Sequence, residues 1–111
     1  MASVLLVDDD GNVLLTLAIA LRRQGHNVTV ACDAGQALAE LKSHRFSFLV
    51  SDVRMPGMTG FELAHRAHCL ENAPRIILTS AYSNLETQDD IVEAFLPKPI
   101  DIARLNALLQ R

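Results

Sequence analysis

Residues 48–63 read FLVSDVRMPGMTGFEL, and the fold is decided here. The apolar run Phe48-Leu49-Val50 ends in Ser51 and a single carboxylate, Asp52. Continuous apolar character, without alternation, is what a strand buried on both faces needs. Pro56, Gly57 and Gly60 then turn the chain before an amphipathic helix predicted over residues 61–70. A buried strand, a turn and a helix in that order form the first half of a parallel βαβ unit.

The same succession repeats on either side. Residues 4–7 are another short apolar run, closed by Asp8-Asp9-Asp10. Asp10 is a good N-cap for a helix reaching about Gln24, whose Leu14, Leu17, Ala18 and Leu21 share one face; Gly25 stands where a C-cap belongs. A strand over 28–31 and a helix over 34–43, using Ala37, Leu38 and Leu41, come next. Beyond the central stretch lie a strand over 76–79, a weak helix around 85–92 and a strand over 94–96. Asp101 caps a last helix with Ile102, Leu105 and Leu109 on its apolar face. Five βα units predict an α/β fold: a single doubly wound (βα)5 domain over residues 1–111. The flavodoxin-like version of that fold has a five-stranded parallel sheet in the order 2-1-3-4-5.

Composition supports one ordinary globular domain. The 111 residues are 50% hydrophobic and 21% charged, enough for a core without disulfide or structural metal. Cys32 and Cys69 have no framework spacing and read as reduced thiols. No apolar run reaches membrane-spanning length and the first residues lack a signal peptide's pattern, so a cytoplasmic protein is expected. A formal charge of −3 argues against general nucleic-acid affinity. Any output module is expected in another molecule or in a part outside these residues.

In doubly wound sheets ligands sit beyond the carboxyl ends of the strands. Asp8, Asp9 and Asp10 follow the first strand, Asp52 the third, Thr79 and Ser80 the fourth, and Lys98-Pro99 the fifth. Carboxylates gathered there repel unless a cation offsets them. A hard divalent ion with oxygen ligands, Mg²⁺ above all, does so. A carboxylate is also a competent nucleophile toward phosphorus. Phosphoryl transfer needs mainly positioning and positive charge, and Lys98 can supply part of the charge.

The segments VLLVDDD, SDVRMPGMTGFEL, IILTSAY and LPKPID resemble, in order and over nearly the whole chain, the signature segments of response-regulator receivers. The resemblance implies phosphotransfer to Asp52 from a phosphohistidine on a histidine kinase or a histidine phosphotransfer protein. It implies that Asp8 and Asp9 hold Mg²⁺, with Asp9 and Asp52 as direct ligands and the backbone carbonyl of Arg54 as another. Lys98 binds a phosphoryl oxygen, and Lys98–Pro99 is a candidate cis bond. For the switch hydroxyl, counting from Pro74 points to Thr79, whereas reading back from Ala81-Tyr82 points to Ser80. An ungapped run from Asp52 through Gly60 also gives Ser80, which is taken here with Thr79 as runner-up. The aromatic switch position, three residues before the lysine, is Phe95, which lacks a tyrosine's hydroxyl. By the same resemblance the protein is a switch rather than a turnover enzyme, a monomer or a phosphorylation-dependent dimer, read by an effector protein that the sequence does not name.

Asp33 and Asp101 are ordinary caps. Arg54 is either a surface residue or an influence on hydrolysis of the phosphoryl group. His65, His68 and Cys69 share a helix face but make a poor zinc site, so a solvated face is expected. Leu15 and Ile19 lie off the core face of the first helix, either as shoulder packing or as a partner-docking patch.

One departure from the family stands out. The stretch from Ser80 to Lys98 is short by about four residues, roughly one helical turn, within the fourth helix that receivers use for output. It keeps open an alternative, a phosphorylation-independent interaction module. A phosphatase using an aspartyl-phosphate intermediate would need an acid where Arg54 stands, and a nucleotide-binding flavodoxin-like protein would need a Gly-rich loop after the first strand.

Overall fold

The computed structural model describes residues 2–81 and 89–111. The elements in chain order are β1 (Ser3–Val7), α1 (Gly11–Arg23), β2 (Asn27–Ala31), α2 (Ala34–Ser43), β3 (Phe48–Asp52), α3 (Gly60–His68), β4 (Arg75–Ser80), β5 (Val92–Pro97) and α4 (Ile102–Leu109). The five strands form one sheet in the order β2-β1-β3-β4-β5, with every pairing parallel.

Strand alternation explains the continuous apolar runs. Leu5 and Val7, Leu49, and Ile76 and Leu78 face one core shared with α2 and α3. Their immediate neighbours Val4 and Leu6, Phe48 and Val50, and Ile77 face a second core shared with α1 and α4. Successive side chains point to opposite faces, so a strand covered on both sides has no polar positions. Each fully buried Leu or Ile contributes about 1.5–3 kcal/mol. The helices supply the matching stripes: Leu14, Leu17, Ala18 and Leu21 from α1, and Ala37 and Leu41 from α2.

The expected caps are present. Asp10 accepts from the backbone N–H groups of Asn12 and Val13, Asp33 from Gln36, and Asp101 from Ala103 and Arg104. Thr59 caps α3 by accepting from the Glu62 N–H at 3.1 Å. Thr59-x-x-Glu62 is a capping-box spacing that is legible in the sequence. His26 is a buried polar residue with no sequence signal. Its Nδ1 accepts the Ala2 N–H at 3.1 Å, and its Nε2 lies 2.6 Å from Asn106 Oδ1, tying the chain start to α4.

The weak helix expected over 85–92 needs correction in the part that is described. Residues 85–88 lie outside the described residues. Asp89 instead opens a turn: its carboxylate accepts the Ile91 N–H at 3.3 Å and its carbonyl the Val92 N–H at 3.0 Å. Asp stabilises such turns by bonding its own backbone. Val92 already begins β5, which is longer than the expected 94–96. A bulge between Ile76 and Ile77 leaves Glu93 out of register, and it accepts from Arg75 Nε at 2.6 Å.

The loop after β3 is tightly specified. Gly57 has φ of 84°, and the Gly60 N–H donates to the Val53 carbonyl at 2.7 Å. A Cβ on Gly60 would run into the Asp52 carbonyl oxygen and lie 2.9 Å from Val53 Cα, whereas one on Gly11 meets nothing within 4 Å. Gly60→Ala is therefore expected to destabilise the domain by about 1–3 kcal/mol. Gly11→Ala should leave stability within about 0.5 kcal/mol or raise it. Urea unfolding of both variants checks this, and equal midpoints for the two would contradict the contact.

Candidate functional site

Four strand ends build the site. Asp8 leaves β1 and is buried, 3% exposed, whereas Asp9 is exposed. The Asp8 carboxylate accepts the Asp10 N–H at 2.9 Å through one oxygen and Lys98 Nζ at 2.7 Å through the other. Asp52 closes β3 and is also buried. Its carboxylate lies 3.3 Å from Lys98 Nζ and accepts the backbone N–H of Arg54. One ammonium thus bridges two carboxylates. Single carboxylate oxygens of Asp8, Asp9 and Asp52 all lie within 4.8 Å of one another.

The sheet register puts the hydroxyls beside them. Asp52 is level with Thr79, and Ser80 with Pro97. The Thr79 hydroxyl points to the Ser51 carbonyl of the neighbouring strand at 3.5 Å. The Lys98 N–H donates to the Ser80 carbonyl at 2.8 Å, which ties the lysine's strand end to Ser80. Lys98–Pro99 is cis.

Electrostatics oppose each other here. Burial pushes the Asp52 carboxyl above its ordinary range; the Lys98 charge pulls it back and the Asp8 charge adds to the rise. Burial alone acts to lower Lys98, but the hydrogen bond and charge of Asp8, joined by Asp52, outweigh it and hold the ammonium above its usual value.

The remaining expected residues fall around this centre. Phe95 is half-buried on β5 and packs on Phe61 of α3, ring centroids 5.9 Å apart. Leu15 and Ile19 are 59% and 43% exposed on α1. The Arg54 side chain is exposed. His65 pairs with Asp89 at 2.9 Å, and among the described residues no grouping with metal-ligand spacing includes His65, His68 or Cys69. The Asp8–Lys98 bridge and the Phe61 ring were missed from the sequence. Phe61 was legible as the residue after Gly60 on the helix facing the fifth strand.

The model of the response regulator receiver domain matches residues 4–110. The chain belongs to the response-regulator receiver family. Receivers are signalling domains of two-component response regulators, generally without turnover activity of their own. Among curated relatives, the transcriptional regulatory protein AfsQ1 of Streptomyces coelicolor is 32% identical over 119 residues. That match takes in 100% of this receiver and 52% of AfsQ1, so the chain spans about half of that relative's length. The chemotaxis response regulator CheY4 of Vibrio cholerae superposes with a TM-score of 0.89 at 31% identity, covering 100% of this chain and 98% of that one. The response regulator TrrA of Thermotoga maritima, in complex with Mg²⁺-BeF, superposes at 0.88 with 25% identity, covering 99% and 97%. Among the described residues no helix of this receiver is long and apolar enough to cross a membrane.

The bridge makes opposite predictions for its members. Asp52→Asn removes a buried charge that repels Asp8 and should raise the thermal midpoint in chelator-containing buffer at neutral pH by about 4 °C, roughly 1 kcal/mol. An acid raised by folding opposes folding only while ionised, so this gain should vanish as pH falls below the ordinary carboxylate range. Lys98→Ala leaves both acids without their shared cation and should lower stability by about 1–3 kcal/mol. Calorimetry on the three proteins reads both signs.

Proposed function

We propose that this receiver is a phosphorylation-controlled switch taking a phosphoryl group on Asp52 from a phosphohistidine of a histidine kinase or phosphotransfer protein. The observation that carries it is the meeting of Asp8, Asp9, Asp52 and Lys98 at one sheet edge. A chain selected for stability alone would not bury two carboxylates against each other.

The donor set fits Mg²⁺. It contains carboxylate oxygens and no sulfur or imidazole, and Lys98 leaves the cluster still net negative. Asp9 and Asp52 would hold the ion directly with the Arg54 carbonyl, and Asp8 would hold it from behind. The Mg²⁺-BeF complex of TrrA supports this reading. Bound there, Mg²⁺ supplies positive charge to the phosphoryl oxygens and orients them toward the nucleophile.

The chain's own groups do the rest. An Asp52 carboxylate oxygen attacks phosphorus as the P–N bond breaks, and the donor ring, already protonated on its other nitrogen in the phosphohistidine, leaves as neutral imidazole keeping that proton. Lys98 shifts from the carboxylates to a phosphoryl oxygen, neutralising charge that Asp52 no longer carries as a free anion. Ser80 is the hydroxyl that meets the phosphoryl group. What supports Ser80 is the register: its backbone carbonyl accepts the Lys98 N–H, at the strand end that carries the lysine. Phe95 then turns inward from its packing against Phe61. Arg54, exposed two residues beyond the phosphoacceptor, is placed to influence hydrolysis of the phosphoryl group.

Donor docking is assigned to α1. Leu15 and Ile19 are exposed there, and an apolar groove of about 310 Å³ beside Lys98 is lined by Val13, Leu17, Pro99, Ile100 and Ile102. A phosphohistidine entering near Lys98 passes this surface.

Intact mass after incubation with acetyl phosphate should show one added phosphoryl group that depends on Mg²⁺ and disappears in Asp52→Ala. No gain under any condition, together with no Mg²⁺ binding, would leave the phosphorylation-independent module as the better reading. Separately, Leu15→Glu should slow transfer from a phosphohistidine protein by about tenfold, while labelling by acetyl phosphate stays unchanged. An equal fall in both rates would remove α1 from the docking role.

A further inference from the structure

We propose that the groove between α2 and α3, away from the phosphoacceptor edge, docks an acidic amphipathic helix of another protein. Two adjoining hollows form it, about 340 and 380 Å³, and they share Lys42 and Leu70. The second hollow has an apolar floor, where Leu38 and Leu70 are only partly buried although both pack on the core beneath, and the first is more polar, with Ser43, His44 and Asn72 on its wall. Among the lining residues Lys42, Arg45 and Arg66, all exposed, outnumber one carboxylate, Glu71, while Glu40 and Asp89 stand just outside, paired with the lining His44 and His65. None of these three cations has an ion-pair partner among the described residues.

The charge balance is what selects the partner. The whole chain carries 10 Lys and Arg against 13 Asp and Glu, yet this groove is cationic. Basic residues in a helix's last turn are ordinary, because they offset the helix dipole. Lys42 and Arg66 meet that description, but Arg45 lies beyond the end of α2, and the dipole gives no reason for an open apolar floor between them. An apolar floor with a cationic rim is complementary to a helix carrying leucines on one face and carboxylates beside them. Its concavity and three cations suit such a helix better than a nucleic-acid backbone or a lipid surface, which need denser positive charge. This surface does not depend on the phosphorylation chemistry, since none of its residues belongs to the aspartate–lysine site.

The experiment uses a fluorescein-labelled helical peptide of Leu, Ala and Glu, with a Lys-for-Glu counterpart, titrated with the full chain. The acidic peptide should bind more tightly, and its amide chemical-shift changes should fall on α2 and α3. Lys42→Glu/Arg66→Glu should weaken binding by about tenfold or more. Arg104→Glu/Arg111→Glu, which changes net charge equally on and beyond α4, should weaken it by less than about threefold. Both variants should keep their thermal midpoints and their labelling by acetyl phosphate. Equal losses in the two variants, shifts on another face, or no preference for the acidic peptide would overturn the proposal. So would tighter occupation of this groove by RNA, anionic phosphatidylglycerol vesicles or a second copy of the chain.

Discussion

Everything at the functional edge depends on one ammonium group held between two buried carboxylates. Lys98 Nζ sits 2.7 Å from Asp8 and 3.3 Å from Asp52. Without it the carboxyl ends of β1 and β3 would place like charges side by side in a poorly solvated cleft. With it, both carboxylates share one cation at the edge where Asp52 stands level with Thr79. The arrangement is stable but not relaxed: Asp52 remains above its ordinary pKa even with the cation present. A carboxylate kept in that condition is relieved by whatever removes its charge.

The sheet is what makes such a cluster affordable. Two cores, one on each face, clamp the central strands through alternate side chains, so β1, β3 and β4 cannot slip without exposing a full row of Leu, Ile and Val. Polar chemistry is thereby confined to the last residues of the strands and the positions just past them. Asp8, Asp52, Thr79 and Ser80 are among the few buried polar residues of the domain, and all lie at that edge.

Much of this was legible in the sequence. Period-3.6 stripes with Asp caps located α1, α2 and α4, and short apolar runs located the strands to within a residue or two, with the largest shortfall, two residues, at the start of β5. The β5 start was misjudged because Ile91, Val92 and Ala94 are interrupted by Glu93, which a bulge turns outward to Arg75. Alternation rules do not anticipate an inserted residue. The acids and the lysine were legible because each follows an apolar run. The pairing of Lys98 with Asp8 was not, since a point charge can reach any of several neighbours, and only backbone geometry decides which. His26 was invisible for the same reason. Its partners, Ala2 and Asn106, lie at the two ends of the chain.

The missing side chain at Gly60 has a mechanical meaning. It lets the first turn of α3 rest directly on the peptide of Asp52, with a hydrogen bond from Gly60 to Val53 and no atoms in between. Nothing compressible separates Asp52 from that helix. α3 is about 13 Å long at 1.5 Å per residue, so a tilt of about 5° at its mooring carries its far end roughly 1 Å. Any tilt of the helix is therefore pivoted on the backbone of Asp52, and Phe61 and His65 lie along its length.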